Sequence, residues 1–396
     1  MTQGVAAPSI FDTFERDYHG PAAHSESHFA YLNRSASEEV GRIRKTLEDW
    51  FSRYPLPMQA DLRSRFRSSN DAQHEGAFFE LALHELLRGV GLVSEAPAAC
   101  DRATRPDFML RSSTGSGEVF WEATVALSKS ERVSAEAART NRVYDVIERL
   151  DSPNFHLGIR PRGAPGTPPK ATYIRRQLAQ WLGTLDPDEV TRRFRVHGSA
   201  AFPECSFEHD GWRAVFFAIP KPEASRGRRG DRPVGVRFAE LRRGAPYERP
   251  RATIIDKAKQ HGELSGPYIV AVNVSDRMFR QRDAVEALFG TERVFSTMNL
   301  SGKVESRPSR AQDGVWINRQ GITRTRVSAV LFVHGLSPWT LAEADMCLYL
   351  NPWAARPYPT DLWLLPLAEV RDDRVIWREG QTAARAFDLP VGWPFQ

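Results

Sequence analysis

The stretch that decides the fold reads EGAFFELALHELLRGVGL (75–92), VSEAPAACDRATRPDFMLR (93–111) and EVFWEATVAL (118–127). Its first part has the apolar spacing of a helix, and the other two parts read as three short strands. The strands present Asp107, directly after Pro106, and Glu122, while the helix offers a further acid. Carboxylates from neighbouring elements supply the hard oxygen ligands that a divalent cation prefers. The sequence therefore predicts a cation site within this stretch.

The helix is predicted over residues 73–88 and is ended by two glycines. Glu75 and Glu80 lie on opposite edges of its apolar stripe, because each helical residue is rotated by about 100° from the last. Helical geometry alone leaves both as candidates for the inward acid. His74 and His84 are interpreted as polar-face residues rather than ligands. The stripe consists of Phe79, Leu83, Leu86, Leu87 and Val90.

The strands predicted over residues 107–111 and 119–127 are joined by a Ser/Thr/Gly-rich turn, as in a hairpin. A hairpin can place Asp107 and Glu122 side by side. The second strand is apolar and nearly continuous, which is typical of a buried central strand, so its acid needs a partner. Two alternatives stay open: Asp107 caps a turn after proline, and Glu122 pairs with a buried arginine.

Bulk composition narrows the class of protein. The chain has 396 residues and is 41% hydrophobic, as expected of a globular protein with a sizeable core. No apolar run approaches the length of a membrane span, and the N-terminus lacks a signal-peptide pattern, so we expect no membrane partner. Nucleotide-binding glycine motifs are absent from the sequence. The odd, widely spaced Cys100, Cys205 and Cys347 favour a reducing cytoplasm over a disulfide framework.

Positive charge is concentrated in one segment. The chain carries a formal charge of +5, and residues 223–251 hold nine arginines against four acids. Arginine forks suit phosphate, so this segment and the basic stretch 303–326 are candidates for contacts with a nucleic-acid backbone. A solvated, flexible loop is the alternative for 223–251. The candidate residues in it are Arg226, Arg228, Arg229 and Arg232.

The order of these motifs resembles the PD-(D/E)XK nuclease superfamily, which has the restriction-endonuclease-like fold. The resemblance rests on Glu80 in a helix, then Pro106-Asp107, then Glu122 followed two residues later by Thr124. It implies an α/β fold with an αβββαβ core, a mixed sheet flanked by helices. The second helix and fourth strand of that core would be residues 252–264 and 268–274.

The chain is accordingly divided into a flexible tail (1–30), a helical lead-in (31–72), a nuclease-like core (73–290) and a C-terminal α/β extension packed on the core (291–396). Within the core, residues 128–251 are a long insertion that includes a β-hairpin near residues 200–219. The resemblance covers residues 75–127 and the second helix and fourth strand, and leaves the last hundred residues unassigned.

The resemblance also implies an activity. The chain would be a nuclease that hydrolyses phosphodiester bonds of nucleic acid, with DNA favoured, and would use Mg²⁺ or Mn²⁺ as its cofactor. Asp107 and Glu122 would bind the metal, and Glu80 would be the helix acid.

One residue departs from the pattern. The lysine that the family has two residues after its glutamate is Thr124 here, and threonine supplies no positive charge. Lys257 lies within the inner stripe of the predicted helix 252–264 and is the candidate replacement, with Gln260 one turn on as a candidate substrate contact. Two alternatives remain. Lys257 extends its amine to solvent at the helix edge, or the chain is an inactive relative that binds nucleic acid or protein.

Overall fold

The computed structural model describes residues 9–89, 93–95, 105–111, 118–127, 131–227, 233–237, 245–276, 278–298, 304–360, 363–371 and 374–396. Its α-helices are α1 His28–Arg34, α2 Glu38–Arg53, α3 Leu56–Phe66, α4 Asp71–Gly89, α5 Glu131–Ile147, α6 Ala171–Gly183, α7 Pro187–His197, α8 Glu248–Gln260, α9 Gln281–Phe289 and α10 Ala383–Ala386. Its strands are β1 Val93–Glu95, β2 Phe108–Arg111, β3 Glu118–Ala126, β4 Phe155–Arg162, β5 Glu204–His209, β6 Trp212–Pro220, β7 Val234–Arg237, β8 Tyr268–Val274, β9 Glu292–Met298, β10 Val304–Arg310, β11 Ile317–Asn318, β12 Gly321–Ile322, β13 Val327–His334, β14 Asp345–Leu350, β15 Leu367–Arg371 and β16 Arg374–Arg378.

The chain divides into two compact units. The first comprises Met1–Gly20, Ser27–Ser128 and Gly244–Gln396, and the second comprises Pro21–Glu26 and Lys129–Arg243. The second unit interrupts the first between β3 and α8, at the position of the predicted insertion 128–251. No helix in the described part of either unit is long and apolar enough to cross a membrane.

A large mixed sheet forms the centre of the first unit. Among the described strands its order is β1-β2-β3-β8-β13-β14-β15-β16. The pairs β1–β2 and β2–β3 are antiparallel, whereas β3–β8 and β8–β13 are parallel. Strand β3 is therefore paired on both sides, which explains its nearly continuous apolar sequence. The prediction of a mixed α/β sheet flanked by helices is confirmed.

Alternation along β3 directs its side chains to two different cores. Trp121 packs in the core that α2, α3 and α4 cover. Phe120 packs in the core on the other face, which α8 and α9 cover. Because side chains of a strand alternate between faces, Glu122 and Thr124 point to the same face as Phe120. The sheet thus directs both residues toward α8.

The second unit has its own sheet and core. Its strand order is β5-β6-β4-β7 among the described strands. Helices α5, α6 and α7 contribute the apolar side chains that pack with it. Strands β5 and β6 form the hairpin that the sequence predicts near residues 200–219.

Two parts of the chain differ from their sequence-based interpretation. In the predicted flexible tail, Ile10 and Phe11 are buried, and the Glu48 carboxylate accepts hydrogen bonds from both backbone N–H groups at 3.1 and 2.8 Å. In the C-terminal extension, β13 and β14 continue the same sheet as β8 and do not form a separate layer. Long-range burial and pairing, which no local periodicity reveals, explain both differences.

Candidate active site

Glu122 is the buried acid of the central strand β3, and it has two cationic or ionisable partners at the end of α8. Its side chain is only 3% exposed. Lys257 Nζ lies 2.6 Å from Glu122 Oε1, and His261 Nε2 lies 2.9 Å from Glu122 Oε2. Lys257 and the C-cap residue His261 are one helical turn apart, so the same face of α8 supplies both partners. Glu122 therefore pairs with a lysine and a histidine, and the buried arginine considered from the sequence is not the partner that the structure describes.

Asp107 lies immediately before β2 and next to Glu122. The β2–β3 register pairs Phe108 with Trp121, so continuing it by one residue puts Asp107 opposite Glu122. Asp107 Oδ2 accepts a hydrogen bond from the backbone N–H of Ala123 at 2.7 Å. Directly opposed residues of an antiparallel pair have Cβ atoms about 5 Å apart. Two acids thus face the same space.

The electrostatics of Asp107 reflect this crowding. Burial raises the pKa of Asp107 well above its ordinary value, and the negative charges of Glu122 and Glu80 raise it further. The Ala123 hydrogen bond and the positive charge of Lys257 act in the opposite direction without cancelling the rise. The site therefore disfavours the charged form of Asp107 and favours its binding to a proton or a cation.

Glu80 is the acid that α4 contributes. Its side chain is 7% exposed, its Oε2 lies 2.8 Å from an Arg65 guanidinium nitrogen, and its Oε1 accepts a short hydrogen bond from the Tyr54 hydroxyl. Glu75 is 29% exposed and lies 3.7 Å from His28. Of the two acids that helical geometry could not separate, Glu80 is the buried one and the one whose charge reaches Asp107.

Two buried tyrosines border the acids. Burial and the charges of Glu80 and Asp107 raise the pKa of Tyr54. Burial and the charges of Glu122 and Asp107 raise the pKa of Tyr268, whose hydroxyl donates to the Lys257 carbonyl at 3.3 Å. Both phenols stay protonated over the physiological range and act as hydrogen-bond donors there.

An open cleft of about 500 Å³ lies along α8, and one of the residues that line it is Lys257, the partner of Glu122. It brings together Thr124, Lys257 and Gln260. The sequence related Lys257 and Gln260 to the site only through their positions on the inner face of the predicted helix. Thr124 thus occupies the end of β3 nearest the cleft, and Lys257 places an ammonium beside it. The cleft is lined by Thr124, Thr253, Asp256, Lys257, Lys259 and Gln260.

The carboxylates of Asp107 and Glu122 are the candidate ligands for a divalent cation. The described residues contain no group of three or more His, Cys, Asp or Glu side chains arranged to hold a metal ion. Both Glu122 oxygens are engaged, one by Lys257 and the other by His261. Asp107 and Glu122 offer the carboxylate oxygens that a divalent cation prefers, and a cation bound there would replace one of the two partners of Glu122.

The predicted phosphate-contacting arginines are only partly described. Arg226 belongs to the second unit, where its guanidinium lies 2.6 Å from Asp188 and donates to the Lys221 carbonyl at 3.0 Å. Its side chain is 16% exposed. The other three predicted contacts, Arg228, Arg229 and Arg232, lie outside the described residues.

The histidines of α4 are not on a polar face, and that interpretation is wrong. His74 and His84 are 1% and 2% exposed. His74 Nδ1 lies 2.6 Å from the Phe66 carbonyl, and the His84 ring lies 5.0 Å from the Tyr54 ring. Burial lowers the pKa of each to about 4. Helices α2 and α3 cover the side of α4 that its sequence pattern presents as polar.

Sequence reasoning also missed three partners of the acids. His261 was recognisable only as an inner-face residue four positions after Lys257. Tyr54 and Arg65 come from α2's C-cap position and from α3, and no local pattern connects either with Glu80. A search for polar residues on the inner faces of neighbouring helices would have found His261.

No protein-family model matches the chain, and neither a curated protein nor a solved structure matches it. Function must therefore be inferred from the chemistry of the site itself.

Proposed function

We propose that this protein is a divalent-metal-dependent nuclease that cleaves phosphodiester bonds of DNA. The observation that carries the proposal is the pair Asp107 and Glu122, opposed across β2 and β3, with the pKa of Asp107 raised and Lys257 held at Glu122. A buried acid whose pKa is strongly perturbed, with a specific charge partner beside a cleft, marks a candidate functional site.

The order of elements supports a restriction-endonuclease-like core. Along the chain, α4 is followed by β1, β2, β3, α8 and β8, and these four strands are neighbours in the sheet. This is the αβββαβ order that the resemblance to PD-(D/E)XK nucleases implies, with Lys129–Arg243 inserted before α8. The support comes from topology together with the positions of the acids, since fold by itself does not imply function.

The chain's own residues have distinct roles in this proposal. Asp107 and Glu122 would hold the metal, and when bound, a divalent cation lowers the pKa of a water and neutralises charge on the phosphate. Lys257 supplies the positive charge that Thr124 lacks, and it faces the cleft in which a phosphate would bind. Arg65 and Tyr54 hold the Glu80 carboxylate in place, and its negative charge acts on Asp107.

The test is cleavage of supercoiled plasmid with Mg²⁺ or Mn²⁺. We expect Asp107→Ala and Glu122→Ala to abolish cleavage. Glu118→Gln is the matched control, because Glu118 is a carboxylate of the same strand that pairs with Arg111 at the surface, and it should cleave like the wild type. Cleavage that survives both alanine variants would show that the acids are not the site.

A second function is favoured by one specific observation. Thr124 replaces the expected lysine, and both Glu122 oxygens are occupied by side chains, as in a scaffold that binds nucleic acid or a protein without chemistry. This alternative predicts binding without turnover and no saturable Mn²⁺ site by calorimetry. The nuclease predicts a site that Asp107→Asn removes.

A further inference from the structure

A second cleft continues from the candidate active site along the end of α8. It has a volume of about 310 Å³ and lies between α8 and residues 318–327. Lys259 lines both this cleft and the one that contains Thr124 and Lys257. Arg326 lines it as well, and also lines a small depression next to His261 and Arg356. The surface is therefore continuous with the residues that hold Glu122.

The charge of this surface is of one sign. Lys259, Arg324, Arg326 and Arg356 line the second cleft and the depression, and no aspartate or glutamate of the described chain lines either of them. Lys259, Arg326 and Arg356 are exposed. Within the described residues none of these three forms an ion pair. Like charges that gather without counter-charges are suited to an anionic partner.

The wall of the cleft is held in place by the short hairpin of β11 and β12. Arg324 donates from Nη1 to the Val315 carbonyl at 3.0 Å and to the Thr323 hydroxyl at 3.1 Å. Asn318 accepts from the backbone N–H of Gln320 at 2.8 Å, which fixes the turn. These bonds fix the backbone that precedes Arg326, and Lys259 is carried by α8.

We propose that Lys259, Arg324, Arg326 and Arg356, here called the α8 basic cleft, bind the phosphodiester backbone of the nucleic-acid strand that enters the candidate active site. This inference rests on the proposed function. Evenly spaced phosphates are the partner that matches several cations along one path, and neutral Asn318 and Gln320 add hydrogen-bonding groups for phosphate and sugar oxygens. Arg324 and Arg326 belong to the basic stretch 303–326 that the sequence singles out, whereas Lys259 and Arg356 lie outside both predicted basic segments.

The experiment measures binding of a fluorescein-labelled single-stranded oligonucleotide by anisotropy in EDTA, over a range of NaCl concentrations. The test variant combines Lys259→Ala, Arg326→Ala and Arg356→Ala and leaves Arg324 intact because it supports the hairpin. We expect at least a tenfold weaker Kd at moderate salt. The slope of log Kd against log salt should fall by about 0.7 for each phosphate that the variant no longer neutralises, or about 2 in all.

The matched control removes the same charge elsewhere in the first unit. Lys45→Ala, Arg374→Ala and Arg385→Ala are exposed positions away from the cleft, and together they change the net charge equally. This variant should retain the wild-type salt slope. Thermal melting checks that both triple variants are folded.

The possible results distinguish the α8 basic cleft from the proposed nuclease. Three results would each refute a role of the α8 basic cleft in binding. They are equal losses of affinity in the two triple variants, unchanged affinity in the test variant, and no oligonucleotide binding by the wild type at low salt. A selective loss in the test variant supports it, even if the wild type proves unable to cleave DNA. If the wild type cleaves DNA and the test variant binds the oligonucleotide as tightly as the wild type, the proposed nuclease activity is supported and the proposed role of the α8 basic cleft is refuted.

Discussion

Lys257→Met should strengthen metal binding while it weakens catalysis. Lys257 holds Glu122 Oε1 at 2.6 Å, so an arriving cation must displace the ammonium from that oxygen. Lys257 is 26% exposed and Glu122 is 3% exposed, so the pair is largely shielded from water. A hydrogen bond between charged groups contributes about 1.5–3 kcal/mol, and removing it as a competitor should lower the Kd for Mn²⁺ by about tenfold to a hundredfold.

Catalysis should respond in the opposite direction. If the ammonium stabilises charge that develops on the phosphate, its loss should lower kcat by about a hundredfold to a thousandfold. The assays are Mn²⁺ calorimetry and plasmid cleavage on the same preparations. Lys259→Met is the control for metal affinity, since it removes one positive charge from the same helix without breaking an ion pair with Glu122.

If Lys257→Met binds Mn²⁺ no more tightly than the wild type does, the ammonium does not compete with the metal for Glu122. An equal gain in Mn²⁺ affinity in Lys259→Met would also refute it. The gain would then come from the loss of one positive charge near the site and not from the broken ion pair between Lys257 and Glu122.

Three further predictions concern stability, measured by urea unfolding of the metal-free protein. Because the pKa of Asp107 is raised, the folded state holds the Asp107 proton more tightly than the unfolded chain does. The free energy of unfolding should therefore fall as pH rises from 3.8 through the folded pKa, and Asp107→Asn should remove that fall. Burial lowers the pKa of His74 and His84 from 6.5 to about 4, so both are protonated in the unfolded chain at a higher pH than in the folded state. As pH decreases from 6.5 to 4, the free energy of unfolding should therefore fall by about 3 kcal/mol for each histidine. His84→Gln should show a smaller acid-induced loss, and an unchanged profile would contradict the assignment. Glu80→Gln removes the charge that pairs with Arg65 and should lower the free energy of unfolding by about 1.5–3 kcal/mol. An unchanged free energy of unfolding would contradict a stabilising role for this pair.

Local sequence patterns predicted the elements that carry the acids. The apolar run around Glu122 predicted a central strand, the stripe through Phe79 and Leu83 predicted α4, and the inner-face position of Lys257 predicted that it would approach the acids. Each of these features depends on neighbours within a few residues, for which strand alternation and helical periodicity are sufficient.

Contacts between distant segments could not be predicted in the same way. Tyr54 at the C-cap of α2 and Arg65 in α3 reach Glu80 because both helices pack against α4. The His84 ring is likewise covered by Tyr54 and by Phe108 of β2. Strands β9 and β10 form a separate hairpin, and β16 is the last strand of the large sheet. Strand β15 is paired on both sides but is only 5 residues long, so none of the four has the long apolar run of β3. The resemblance named Glu80 as the helix acid, but helical geometry did not separate it from Glu75, because only the packing of the rest of the chain on α4 distinguishes the two.

The central claim is that Asp107 and Glu122 share one divalent cation, and anomalous diffraction from crystals grown with Mn²⁺ tests it most directly. The account predicts a single strong peak bound by both carboxylates, with the Lys257 ammonium moved away from Glu122 Oε1. A site without a peak, in which Lys257 and His261 still hold both oxygens of Glu122, would contradict it.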